Sequence, residues 1–334
     1  MTPYERLYAR MRGEPVDRAP NLCIVMALAA KEAGASYRQM VTDYRVLCEG
    51  MLRCQEKYSL DFVSAISDPM REAAGFGAEL VLPEDGVPYA KAPLITGITR
   101  AELRPVAPES APRMLDRLQA VRHFAQRCKG DIPIIGWVEG PFAELCDLAG
   151  ISEIMMELMD EPEAIHAALQ VCLQQAVDFA LAQVREGADI IGIGDAAASL
   201  IGPANYREFA LPYETALIEQ IHKAGAKVKL HICGDINPIL PGIAETGADI
   251  VDCDWMVDLP RAAGLLEGKA VVCGNFDPVA VLLQGTPETV ETAVASCLAA
   301  TPPSSIIAAG CEVPRDTPEE NFKAVAHALA RYNY

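Results

Sequence analysis

The chain has 334 residues, 51% of them hydrophobic, and a formal net charge of −18. That charge excludes a general nucleic-acid binder, which needs clustered Lys and Arg against phosphate, and argues equally against an anionic membrane surface. The opening, MTPYERLYARMRGEP, is charged and lacks the apolar run of a secretory signal, so the 11 cysteines are expected to be reduced thiols in a cytoplasmic protein.

Eight short apolar or β-branched runs recur, at 21–28, 61–66, 133–138, 189–194, 227–232, 249–254, 270–275 and 305–310. Runs this apolar on both faces suit buried parallel strands. Between the second and third lies an irregular Gly- and Pro-rich segment, 67–111, with a candidate hairpin in AELVLPEDGVPYAKA. It is expected to pass over one mouth of the fold. The stretch 152–187 is helical in pattern but too long for one helix, and Pro162 should divide it. The stretch 204–225 carries Pro212 near its first third. The last helix, 317–332, opens on Thr317, Pro318 and Glu320, the pattern of a capping box. Eight strands alternating with helices fit a single-domain (β/α)8 TIM barrel over 1–334, and a doubly wound open sheet would give the same alternation.

In a barrel, chemistry sits on the loops after the carboxyl ends of the strands. Those positions hold Glu139, Asp195, His231 with Cys233, Asp254, Asn275 with Asp277, and Cys311. An imidazole and a thiol two residues apart, with a second thiol on a strand three further round, form a plausible N/S₂ set for zinc. The same residues would also serve as a hydrogen-bonded core histidine and two more buried thiols. GIGD and GFGAEL do not complete a nucleotide-binding fingerprint.

Five stretches carry a resemblance: MRGEPVDRAP, PIIGWVEGPF, ADIVDCDW, VVCGNFDPVAVL and AAGCEVPRDTPEENFKA. Through them the chain resembles the uroporphyrinogen decarboxylase superfamily along nearly its whole length, which implies a single (β/α)8 barrel. The decarboxylase branch has an arginine-rich segment after the first strand and a Gly-His-Gly near the last. Here no arginine lies between Arg18 and Arg38, and the late motif is Gly310-Cys311-Glu312. The sequence is more similar to the zinc methyltransferases that work with corrinoid proteins, such as the methylcobamide:coenzyme M methyltransferases.

That likeness implies Zn²⁺ on His231, Cys233 and Cys311, with cobalamin carried by a partner corrinoid protein. The implied reaction moves a methyl group between that corrinoid and a small acceptor, a thiol such as coenzyme M. Asp254 or Glu139 is the expected fourth zinc ligand. Asp195 is expected to orient His231, and Glu139 to act at the substrate. Asn275 and Asp277 are expected at the cofactor side of the mouth, and Cys253 and Cys273 in packing. The alternatives are a tetrapyrrole decarboxylase, or a non-catalytic barrel that binds corrinoid beside a structural zinc.

Overall fold

The computed structural model describes residues 1–331, so Tyr332, at the end of the expected last helix, lies outside them. Six parallel strands follow one another round a single sheet in chain order: Val63–Ser64, Ile134–Glu139, Ile190–Gly194, Lys227–Ile232, Ile250–Cys253 and Val271–Cys273. The expected runs at 21–28 and 305–310 close the ring without regular ladders. Ile306 bridges Cys273, Ile307 bridges Asn21, and Asp61 N–H donates to the Asn21 carbonyl at 3.0 Å. The result is a closed barrel with a helical outer layer. Among the described residues no helix is long and apolar enough to cross a membrane.

Side chains take the place of the missing ladder on the first run. The Asp61 carboxylate accepts from the Asn21 N–H at 2.7 Å and from Arg6 and Arg18, each at 2.6 Å. Asn21 Oδ1 in turn accepts from Cys23 N–H at 3.2 Å. Backbone donors satisfied this way need no strand partner, so the run is extended but irregular. This also explains the early motif: Asp17 and Arg18 of VDRAP belong to the clasp that fastens the first run to the second.

Pro162 divides the long helical stretch into Ile151–Asp160 and Pro162–Glu186, as its missing N–H and fixed φ require. The hairpin of 78–92 is a two-stranded ribbon pairing Leu80–Val81 with Tyr89–Ala90. The last helix departs from expectation. It runs Glu319–Arg331, and the Thr317 hydroxyl is buried without a hydrogen-bond partner, so no capping box forms there. Pro318 directly precedes the helix, and its carbonyl accepts from Asn321 and Phe322 N–H at 3.1 and 3.2 Å.

Strand periodicity decides what faces the barrel interior. In register, Trp137 lies beside Gly192 and Gly192 beside Lys229; the next row is Glu139, Gly194, His231 and Asp252. A Cβ on Gly192 would come within 2.1 Å of the Trp137 ring. The indole therefore occupies the space that glycine leaves, and Lys229 Nζ sits 5.6 Å from its centroid. The opposite faces of these strands, such as Ile134, Val138, Val228 and Leu230, are apolar and fully buried.

Candidate metal centre

His231 is the fifth residue of the Lys227–Ile232 strand, and Cys233 follows directly at the carboxyl end. Gly234 then turns the chain in the left-handed region, at φ +89, a conformation that favours glycine. Its N–H is tied to Asp254 Oδ2 at 2.9 Å. Cys311 reaches the same place from the end of the 305–310 run. Its neighbour Gly310 packs so tightly that an added Cβ would lie 2.1 Å from the Trp255 nitrogen.

The three donor atoms converge. His231 Nε2 lies 3.0 Å from Cys233 Sγ, Cys233 Sγ lies 3.9 Å from Cys311 Sγ, and all three fall within 4.8 Å of one another. A tetrahedral zinc with sulfur at about 2.3 Å and nitrogen at about 2.0 Å separates two sulfurs by about 3.8 Å and sulfur from nitrogen by about 3.5 Å. The sulfur pair matches and the N–S pair needs about half an ångström. The donor set, one imidazole and two thiols, fits zinc.

The electrostatics suit a cation as well. The hydrogen bond from Cys233, aided by the nearby imidazole, brings the Cys311 thiol down to about 4, while sharing and burial push Cys233 up. Burial opposes charging of His231, but Cys233 and Asp252 outweigh it and its pKa is raised well above the usual range. Before any metal enters, Cys311 is thus drawn toward the thiolate and His231 toward its protonated form. A cation of borderline softness replaces such protons naturally.

Asp252 stands behind His231. Its Oδ2 lies 3.1 Å from Nδ1, and its carbonyl lies 3.2 Å from the same nitrogen, which leaves Nε2 aimed at the sulfurs. Lys229 closes on Asp252 from the other side. Despite complete burial, Lys229 and His231 hold the Asp252 carboxyl down at about 2. Asp252 thus has the orienting position expected for Asp195. It was legible in principle, because alternation puts Lys229 on the face of His231 and Asp252 on the face of Asp254.

Four of the remaining expected residues have their side chains engaged outside the donor cluster. Asp195 does not reach the imidazole with its side chain: Oδ1 accepts from Ala143 N–H at 2.8 Å, and burial raises its pKa to about 7. Asp254 is not in the donor cluster either. Its oxygens accept from Gly234 and Met256 N–H groups, so the carboxylate fastens the loop that carries Cys233. Asn275 Nδ2 donates to the carbonyls of Asp254 and Val257, both at 2.9 Å, bracing a loop instead of facing a cofactor. Asp277 caps the turn Pro278–Leu283 through Val279 and Ala280 N–H. Cys253 and Cys273 are buried in packing.

Glu139 does face the site, in a cavity of about 130 Å³ lined also by His231, Cys233, Cys311 and Trp137. Its Oε1 accepts from Arg71 Nη2 at 2.8 Å, so the side chain is directed to a guanidinium, while burial pushes its carboxyl well upward against the pull of Arg71. Behind it is an acidic group that sequence reading missed: the buried Glu72 and Glu144 and the half-buried Asp147. Burial pushes all three upward, Asp147 to about 8, and neither Glu144 oxygen has a hydrogen-bond partner. Glu312, beside Cys311, fastens the last loop to the first by accepting from Ala27 N–H at 2.7 Å.

The family model of uroporphyrinogen decarboxylase (URO-D) matches residues 2–332. The chain belongs to the URO-D family. Within it, the chain is 29% identical over 339 residues to a methylcobamide:CoM methyltransferase, MtbA, of Methanosarcina mazei, covering all of this chain and 99% of that one. It is 26% identical over 314 residues to a uroporphyrinogen decarboxylase of Xanthomonas oryzae pv. oryzae, covering 89% of this chain and 88% of that one. Among solved structures, a methyltransferase from Methanosarcina mazei superposes with a TM-score of 0.90 at 24% identity, covering 99% of both chains. A B12-independent methionine synthase from Shewanella superposes at 0.56 with 13% identity over 86% of each. These likenesses give the URO-D chain its TIM-barrel fold.

Proposed function

We propose that the protein is a methyltransferase that moves a methyl group between a corrinoid and a small acceptor, a thiol, at a zinc held by His231, Cys233 and Cys311. The observation that carries this reading is the convergence of those three donors, from two distant loops, on the cavity at the carboxyl ends of the strands. The similarity to a methylcobamide:CoM methyltransferase over the full chain supports the corrinoid side of the reaction. The corrinoid is read as belonging to a partner protein.

When bound, zinc would lower the pKa of a ligating acceptor thiol, about 8.5 when free, and keep it as the nucleophilic thiolate at neutral pH. The chain's own residues do the rest. Cys233 and Cys311 bring two negative charges against the cation and leave the centre electron-rich. Asp252 accepts the Nδ1–H of His231 and fixes the tautomer that presents Nε2, as a carboxylate behind a metal-ligating histidine does. Lys229 neutralises that carboxylate inside the barrel. The apolar wall of Ile24, Met26, Ile66 and Trp137 excludes water from an attacking sulfur.

The test is to incubate the zinc-loaded protein anaerobically with methylcobalamin and small thiols and follow the methyl–cobalt absorbance. Loss of that absorbance with formation of a thioether is expected. No transfer to any thiol, with turnover of a porphyrinogen instead, would overturn the reading.

A further inference from the structure

The cavity that holds the donor trio has a wall whose charges are already spent. Among the described residues lining it, Arg71 is the one arginine or lysine. It is fully buried and held on three sides. Nη2 donates to Glu139 at 2.8 Å, Nη1 to the Asp68 carbonyl, and Nε lies 3.4 Å from Glu72 Oε2. The Asp68 carboxylate is matched separately by Arg113, through two contacts at 2.7 and 2.8 Å. The other charged liner, Glu312, is an acid. Beyond these groups the wall is apolar.

From this arrangement we infer that the site selects an uncharged thiol over an anionic one, with the Arg71–Glu139 pair as the specificity determinant. The inference rests on the thiol-acceptor reading above. A sulfonate or carboxylate on the acceptor needs a desolvated cationic partner. Nη2 of Arg71 is committed to Glu139 and Nη1 to the Asp68 carbonyl, while Nε, 3.4 Å from Glu72, has no hydrogen-bond partner, so an anion that took the bidentate face of the guanidinium would displace Glu139 and strand that acid beside Glu72. An uncharged acceptor needs no such exchange and fits the wall as it stands. Glu139 therefore occupies in advance the guanidinium face that an anionic acceptor would need.

The experiment is calorimetric titration of the zinc-loaded protein with 2-mercaptoethanol and with 2-mercaptoethanesulfonate, which share a two-carbon chain and differ in charge. Mercaptoethanol should bind at least about tenfold more tightly, because the sulfonate enters without a free partner. Glu139→Gln frees Arg71 and should raise the sulfonate-to-neutral affinity ratio by about tenfold or more. The charge-balanced double variant Arg71→Met/Glu139→Gln, which strands neither partner, should return the ratio to the wild-type side. Wild-type protein that binds the sulfonate as tightly as mercaptoethanol, or more tightly, overturns the inference and leaves the thiol reading intact. Zinc-loaded protein that binds neither thiol overturns both.

Discussion

Replacing Asp252 by Asn removes the charge behind His231 while keeping an oxygen near Nδ1. Two effects follow, and their sizes differ. A carboxylate that orients a metal-ligating histidine is typically worth 10- to 100-fold in metal affinity, or about 1.4–2.7 kcal/mol. But Asp252 also neutralises Lys229, and both side chains are buried. Leaving one partner of a buried ion pair alone costs about 3–5 kcal/mol of folding stability. The stability loss should therefore dominate the single variant. Lys229→Met/Asp252→Asn removes both charges, so it should recover most of the stability and retain the metal defect. Thermal unfolding reads the first effect, and competition for zinc with a chromophoric chelator reads the second. A folded double variant with zinc affinity within about twofold of wild type, against the expected factor, would refute the orienting role. It would leave Asp252 as a counterion for Lys229 alone.

Cys311→Ala should abolish or greatly weaken zinc binding measured by elemental analysis, whereas Cys297→Ala, at a buried thiol outside the donor cluster, should bind zinc in full. Gly310→Ala should destabilise the fold by about 1–3 kcal/mol in denaturant titration, since the new methyl meets the Trp255 backbone at 2.1 Å, and unchanged stability would contradict that close approach. Burial raises Asp195 to about 7 and Asp147 to about 8, so folding shifts their loss of protons upward from near pH 4, where both ionise once unfolded. Their contribution is complete below that value and falls as pH rises through 7 to 8, because the folded state binds more protons there. The melting temperature should thus be lower at pH 8 than at pH 5.5, and Asp195→Asn should flatten the difference. A melting temperature that climbs over that interval would show that these acids are ionised in the native protein.

Much of the architecture was written in local pattern. Apolar runs of strand length marked six ladder strands and both closing segments, because burial on two faces leaves no room for polar alternation. Pro162 ended its helix for a purely covalent reason. The donor trio was also legible, since His-x-Cys and Gly-Cys sit at the ends of runs and a barrel brings strand ends together. Only the tertiary structure could assign partners. Asp195, Asp254, Asn275 and Asp277 are polar groups at strand ends, like the donor trio in sequence, yet Asp254 and Asn275 bond backbone groups of neighbouring loops, Asp195 a helix N–H, and Asp277 the turn that follows it. Which buried carboxylate meets His231 depends on the register between neighbouring strands, and that register pairs His231 with Asp252. Arg71 and Glu139 are 68 residues apart, and nothing local joins them. A buried charge must find its counterion through space, so that pairing is decided by the closed barrel and not by the chain.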